Sequence, residues 1–213
     1  ELAVEAFDTL RGPFGEVPRF ALGHSFGGVL TSLILARYPE LFRRAVLLDP
    51  VLFSPAMIGV MALSDVVGLA QRTGMAKKAQ KRRRQWPDRA SAHVALHGRG
   101  MFRGWDEAAF DAYIEHALKD VEGGVELKCR PSREADIFGS FPRRLWPSLA
   151  KVTTPTEVIQ GVHTYPFVAK SVARWCASNA HVHSQVVPGG HCFMQERPAD
   201  SAERVTDFLL QRG

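Results

Sequence analysis

The hexapeptide GHSFGG at residues 23–28 constrains the fold of this chain more than any other stretch. A short apolar run at residues 19–22 precedes it, and a broad apolar stripe begins after it at Val29. This pattern predicts a buried strand, a sharp turn and a largely buried helix. The helix is expected to end near Pro39, because the residue before a proline disfavours helical geometry. A second buried strand is predicted at residues 45–48, and a strand–helix–strand unit of this kind implies a parallel sheet.

The sheet pattern resumes in the C-terminal third of the chain. Strands are predicted at residues 156–160 and 181–187, with a helix between them, and a last helix at about 199–211. An amphipathic helix is predicted at residues 2–10.

The stretch between Ser54 and about Ala150 is different: it is rich in Arg and Lys and shows helical periodicity without strong strands. The predicted fold is therefore α/β, with a mostly parallel sheet, flanking helices and a helical cap insertion. We expect the core to comprise residues 1–54 and 149–213, and the cap to comprise residues 55–148.

Composition limits the class of protein. At 213 residues, with 46% hydrophobic and 23% charged residues, the chain is typical of one globular core. Its three cysteines form no metal-type pair, and no apolar stretch reaches the roughly 18–20 residues that span a bilayer. We expect no cofactor, no metal and no integral membrane segment, and a cytoplasmic location. The chain begins with Glu1, so a targeting signal cannot be assessed.

The turn itself predicts a nucleophile. A serine between a strand and a helix, with Gly23 and Gly27 at two residues' distance, is the nucleophile-elbow pattern, in which the hydroxyl projects above the sheet. Small neighbours are expected because the turn is sharp. We predict Ser25 as the nucleophile and the backbone N–H of Phe26 as an oxyanion-hole donor.

A serine hydroxyl needs an adjacent base, which a third group orients. His191 follows the last strand in a Gly-Gly-His turn and is predicted to be the base; His24 is expected to play a supporting role. The usual position for the acid follows the strand at residues 156–160, but Thr164 stands there. Asp49, at the end of the strand after the elbow helix, is the predicted acid; the alternative is that it only caps a turn.

At these residues the chain resembles the α/β-hydrolase superfamily, and the similarity runs through essentially its whole length. The resemblance rests on GHSFGG at 23–28, LDP at 48–50 and GHCFMQERP at 190–198. The cap sequences GGVELKCRP at 123–131 and EADIF at 134–138 look like those of lidded serine hydrolases that include peroxisomal-lipase-like members.

The resemblance has three implications. Several branches, including haloalkane dehalogenases, place their acid after the same strand as Asp49, but Ser25 argues against dehalogenase and epoxide hydrolase activity, which use an aspartate nucleophile. Relatives normally carry several strands and a second oxyanion donor before the elbow, whereas only about 18 residues precede the first strand here. We therefore expect the elbow strand to lie at an unpaired edge and the chain to be a fragment of a longer protein; the alternative is that a separate segment completes the sheet.

The predicted function is hydrolysis of carboxylic esters of small-to-medium apolar substrates through an acyl-enzyme. The same triad on another bond (a carbon–carbon hydrolase, a cofactor-free haloperoxidase or a lipase) and a non-catalytic binding protein remain alternatives. The expected partner is a small-molecule ester, with no nucleic acid and a possible homodimer. The basic run at residues 77–84 is interpreted as a solvated helix face, and the apolar start of the cap and its tryptophans are interpreted as core packing or an acyl pocket.

Overall fold

The computed structural model describes residues 4–5, 9, 17–66 and 74–211. Its strands are β1 (Phe20–His24), β2 (Arg44–Leu48), β3 (Gln85–Trp86), β4 (Leu118–Val121), β5 (Gly124–Leu127), β6 (Thr156–Gly161) and β7 (Val182–Val187). Its α-helices are α1 (Phe26–Arg37), α2 (Pro55–Val66), α3 (Gly74–Gln80), α4 (Arg89–Leu96), α5 (Glu107–His116), α6 (Pro131–Gly139), α7 (Leu145–Leu149), α8 (Pro166–Ser178), α9 (Phe193–Glu196) and α10 (Pro198–Leu210). The predicted helix over residues 2–10 lies almost wholly outside the described residues.

Four strands form the main sheet, in the order β1-β2-β6-β7, and each neighbouring pair is parallel. The predicted α/β fold with a mostly parallel sheet is confirmed. Within the described part of the chain β1 lies at one edge of this sheet, where Leu22 is exposed. Because the strands are parallel, their carboxyl ends all meet at one edge, and the loops that leave them lie next to one another.

The central strands β2 and β6 are buried on both faces, as the strands of parallel sheets usually are. Along β2 the side chains alternate: Ala45 and Leu47 belong to a core cluster that includes Trp175, whereas Val46 and Leu48 belong to a second cluster that includes Phe193. This alternation explains why β2 appears in the sequence as a continuous apolar run. A run of that kind is typical of a central strand covered by helices on either side.

The chain between β2 and β6 contains more than helices. The helical cap insertion was expected to lack strong strands, but the short strands β3, β5 and β4 form a small antiparallel sheet within residues 85–127, which we call the hairpin region. These strands were not predicted because they are short and carry charged side chains such as Lys119 and Asp120. Trp86 and Phe110 are buried in the separate apolar cluster of this region, which also contains the partly buried Trp105.

None of the described helices is both long and apolar enough to cross a membrane.

Candidate active site

Ser25 sits in a strained turn between β1 and α1. Its backbone has φ 55° and ψ −120°, a conformation that non-glycine residues rarely adopt and that costs about 1–3 kcal/mol. The Ser25 N–H donates to the carbonyl of Leu48 on the neighbouring strand over 3.0 Å. The turn is therefore fixed to the end of β2, and strain of this kind is typical of functional sites.

Two glycines make the turn possible by close approach. A Cβ on Gly23 would lie 2.5 Å from Thr31 Oγ1 and 2.6 Å from the carbonyl oxygen of Gly27, and a Cβ on Gly28 would lie 2.9 Å from Cβ of Pro50. A Cβ on Gly27 would meet no described atom within 4 Å. The expectation of small residues on both sides of Ser25 therefore holds at Gly23 but not at Gly27, and Gly28 supplies the second close contact.

Asp49 follows β2 and is completely buried. Its N–H donates to the carbonyl of Ile159 on β6 over 2.7 Å, and its φ of 43° again lies in the left-handed region. The Oδ1 atom accepts the N–H of Gly161 over 3.2 Å, and Oδ2 accepts the hydroxyl of Thr164. These donors replace the water that the buried carboxylate has lost.

His191 joins the two groups. Its Nδ1 lies 2.5 Å from Asp49 Oδ2, and its Nε2 lies 2.9 Å from Ser25 Oγ. A carboxylate only accepts hydrogen bonds, so Nδ1 carries the proton and Nε2 of the neutral ring is free to accept the serine hydroxyl. The structure thus brings together the residues that the sequence analysis selected: Ser25, His191 and Asp49.

Two further side chains hold the loop that carries His191. Glu196 Oε1 accepts the N–H of Gly190 over 3.0 Å, and His24 Nε2 lies 3.0 Å from the carbonyl oxygen of His191. That carbonyl can only accept, so His24 donates from Nε2. Burial lowers the pKa of His24 and so favours the neutral ring, and this effect is partly opposed by the hydrogen bond to the carbonyl of His191. Its predicted supporting role remains an expectation that these contacts favour.

The N–H of Phe26 is the first of helix α1. First-turn N–H groups have no acceptor within their own helix, and the helix dipole adds a partial positive charge there. A donor at this position, next to the serine, can face an oxyanion that forms on a substrate bound at Ser25.

Aromatic rings extend away from His191. The ring of Tyr165 lies 5.2 Å from the His191 ring between centroids, Phe167 stacks on Tyr165 at 5.8 Å, and Phe53 stacks on Phe167 at 5.9 Å. Trp146 donates its indole N–H to the carbonyl of Phe53 over 3.0 Å. We call Tyr165, Phe167 and Phe53 the aromatic row.

Cys192 directly follows His191 but is a poor alternative nucleophile. Burial, reinforced by the nearby carboxylates of Glu196 and Asp49, raises the pKa of its thiol to about 11. All three cysteines are free. Within the described residues, no group of three or more His, Cys, Asp or Glu side chains could hold a metal ion.

The contacts that support the site leave little signal in the sequence. Thr164 is distinguished there only by not being a carboxylate, and Glu196 only as part of GHCFMQERP at residues 190–198. The basic run was interpreted as a solvated helix face, but its helix ends at Gln80, before the arginines. Arg82 is partly buried and donates to Glu134 and Tyr113, whereas Arg84 is exposed and lies 3.5 Å from Glu126. Lys77, Lys78 and Lys81 are exposed.

Comparison with known proteins identifies relatives. A model of the alpha/beta hydrolase family matches residues 1–204. The abhydrolase domain-containing protein AFT2-1 of Alternaria alternata is 32% identical over 230 aligned residues, covering 90% of this chain and 83% of that protein. The type I acyl-CoA thioesterase mpaH of Penicillium roqueforti (strain FM164) is 30% identical over 105 residues, covering 49% of this chain and 22% of that protein.

The fold has solved counterparts. The peroxisomal alpha-beta-hydrolase Lpx1 of Saccharomyces cerevisiae superposes with a TM-score of 0.71 at 16% identity, covering 100% of this chain and 60% of that one. The matched family model, the relatives and this likeness of fold agree, and family membership supports hydrolase activity. The chain belongs to the alpha/beta hydrolase family.

Proposed function

We propose that this chain is a serine hydrolase that cleaves carboxylic esters through an acyl-enzyme. The observation that carries the proposal is the continuous hydrogen-bond chain from Ser25 Oγ through His191 to Asp49, with distances of 2.9 Å and 2.5 Å. A neutral imidazole within hydrogen-bonding distance of a serine hydroxyl can take its proton at the moment of attack, and a buried carboxylate stabilises the imidazolium that forms.

The residues divide the reaction as follows. Ser25 Oγ attacks the ester carbonyl carbon while its proton passes to His191 Nε2, and the N–H of Phe26 donates to the carbonyl oxygen as it becomes negative. The carbon–oxygen bond to the alcohol then breaks, and His191 gives the proton to the leaving oxygen. Water, activated by the same ring, attacks the acyl-serine; the carboxylic acid leaves and Ser25 regains its proton.

The surroundings of His191 support an apolar substrate. The aromatic row begins next to the imidazole at Tyr165, and its members present carbon-rich surface rather than charge. Residues 55–148 form the proposed cap over this edge: the N–H of Asp106 donates to the carbonyl of Gln195 over 2.8 Å, four residues beyond His191. These apolar surroundings are the reason for proposing small-to-medium apolar esters as substrates.

A thioester is the second candidate bond, because one relative is a type I acyl-CoA thioesterase. The same acyl-enzyme route applies, with a thiol as the leaving group. The exposed Lys77, Lys78 and Lys81 would suit a substrate that carries phosphates. Butyryl-CoA and p-nitrophenyl butyrate share the acyl group, so comparing kcat/KM for these substrates shows whether the thioester or the ester is cleaved more efficiently.

The test of the main proposal uses a fluorophosphonate probe and p-nitrophenyl butyrate. The parent should be labelled at Ser25 and should hydrolyse the ester, whereas Ser25→Ala should lose labelling and about 10⁴–10⁶-fold in kcat. The matched control is Ser184→Ala, an exposed serine on β7, which should be labelled like the parent. Hydrolysis that survives Ser25→Ala would exclude this mechanism.

A further inference from the structure

The side chain of Thr164 contacts the carboxylate of Asp49. It lies in the turn after β6, and its Oγ1 donates to Oδ2 of Asp49, the same oxygen that accepts His191 Nδ1–H. The threonine N–H donates to the carbonyl of Gly161 over 3.0 Å, so its backbone is fixed by that turn. Side chains from two different strand ends therefore meet at one point beside the imidazole.

The contact is specific rather than incidental. In the same turn Val162 and His163 are exposed, whereas the Thr164 side chain is partly buried and directed at a carboxylate that solvent does not reach. A β-branched side chain has few χ1 rotamers, so the hydroxyl is held in place. Together with the N–H of Gly161 on Oδ1, it determines how the carboxylate group is rotated about its last bond.

We infer that Thr164 is a positioning residue: it orients Asp49 so that Oδ2 faces His191 Nδ1. The hydroxyl of Thr164 and the carboxylate of Asp49 lie in contact beside the imidazole, and position 164 is the one at which the resemblance places the acid. Moving the carboxylate to position 164 therefore tests the placement of the two side chains. The inference rests on the proposed function for its kinetic consequences, but the placement of the two side chains can be tested without turnover.

The first experiment removes only the hydroxyl. Thr164→Val keeps the branched shape, and loss of a hydrogen bond to a charged group should lower kcat for p-nitrophenyl butyrate about 10–100-fold. KM should change little, because Thr164 acts through Asp49 and not on substrate. Thr164→Ser, which restores the hydroxyl, should recover most of the loss. A merely structural role predicts a lower melting temperature with kcat unchanged for the folded fraction, and that result would overturn the inference.

The second experiment moves the carboxylate. Asp49→Asn should lower kcat by about 10⁴-fold, because the amide no longer favours the productive tautomer of the histidine. The double variant Asp49→Asn with Thr164→Asp should have a kcat at least about 10-fold higher than Asp49→Asn alone. The matched control is the double variant Asp49→Asn with Thr164→Asn, whose new side chain has the same size without the charge. Its kcat should be no higher than that of Asp49→Asn. Equal kcat in the two double variants would refute the shared position.

The proton on His191 Nδ1 provides a readout that does not need activity. We expect a downfield ¹H NMR resonance for it in the parent, its loss in Asp49→Asn and its return only when Thr164→Asp is added. If the resonance returns but Ser25→Ala leaves hydrolysis intact, the proposed function fails and the inference stands. If the resonance does not return in a folded double variant, the inference fails whatever the activity.

Discussion

The strand ends of the main sheet and the surface of the hairpin region differ in how closely their groups are packed. At the strand ends, buried backbone groups approach closely, and Ser25 and Asp49 both have positive φ. The hairpin region packs around an apolar cluster of its own, and its surface carries exposed polar pairs, such as His97 with Glu107 at 3.0 Å and His93 with Asp111 at 3.3 Å. The difference indicates that the first region tolerates very little change in geometry, whereas the surface of the second is easily altered.

The largest effect is expected when a glycine is replaced by alanine at a strand end, and the same replacement in an exposed helix serves for comparison. A Cβ on Gly161 would lie 2.3 Å from the carbonyl oxygen of Gly190, next to His191, so Gly161→Ala must displace the loop. We expect a loss of about 1–3 kcal/mol in unfolding free energy, measured by urea denaturation, and a fall in kcat of more than about 10-fold.

Its counterpart is Gly59→Ala in helix α2, where a Cβ would meet no described atom within 4 Å. Alanine is a better helix former than glycine, so this variant should gain about 0.5–1 kcal/mol. The contrast fails if both variants change stability in the same direction.

A smaller effect is expected from the buried histidine of the elbow. Burial lowers the pKa of His24 below the ordinary value of about 6.5, so between the two values the unfolded chain binds more protons at this group than the folded chain. Protonation of His24 therefore favours the unfolded chain, and the unfolding free energy decreases as the pH falls below about 6.5. His24→Gln keeps a side-chain N–H donor for the carbonyl of His191 but cannot titrate.

Thermal unfolding of the parent and of His24→Gln, recorded between pH 7.5 and 5, checks this. The variant should lose less stability over this range than the parent. Identical slopes would mean that His24 does not titrate differently in the folded and unfolded chain.

The smallest effect is expected at an exposed pair of the hairpin region. Glu107→Gln removes the charge opposite His97, and both side chains are largely exposed. Exposed pairs contribute about 0.2–1 kcal/mol, so the unfolding free energy should fall by less than about 1 kcal/mol and kcat should not change. A change in kcat would show that this surface is coupled to the strand ends.

Much of the main sheet could be predicted from the sequence, because buried parallel strands appear as continuous apolar runs and glycine turns mark their ends. The strand predicted at residues 156–160 ends one residue later in the structure, at Gly161, and the helix after the elbow ends at Arg37, just before the proline signal at Pro39. The residues of the candidate site could be selected because parallel strands bring their carboxyl ends to one edge. Their catalytic roles remain predictions.

The remaining features depend on contacts between residues distant in the chain. Strand β3 has only two residues, which are too few to show a periodic pattern in the sequence. It forms by pairing with β5, about 40 residues later in the chain. The contact of Thr164 with Asp49 joins residues 115 positions apart, and a single threonine in a turn carries no mark of its partner. The positive φ of Asp49 is likewise imposed by its surroundings, since aspartate alone does not require it.

Backbone hydrogen bonds between neighbouring strand ends fix the site. The N–H of Ser25 binds the carbonyl of Leu48, and the N–H of Asp49 binds that of Ile159, so each strand end is located by its neighbour in the sheet. Residues 51–155 take no part in these two bonds. Loop-closure entropy grows only with the logarithm of length, so doubling the length of that excursion would cost only about 0.6 kcal/mol. The excursion can therefore vary in length at small cost to the free energy of folding, while the geometry of the strand ends is kept.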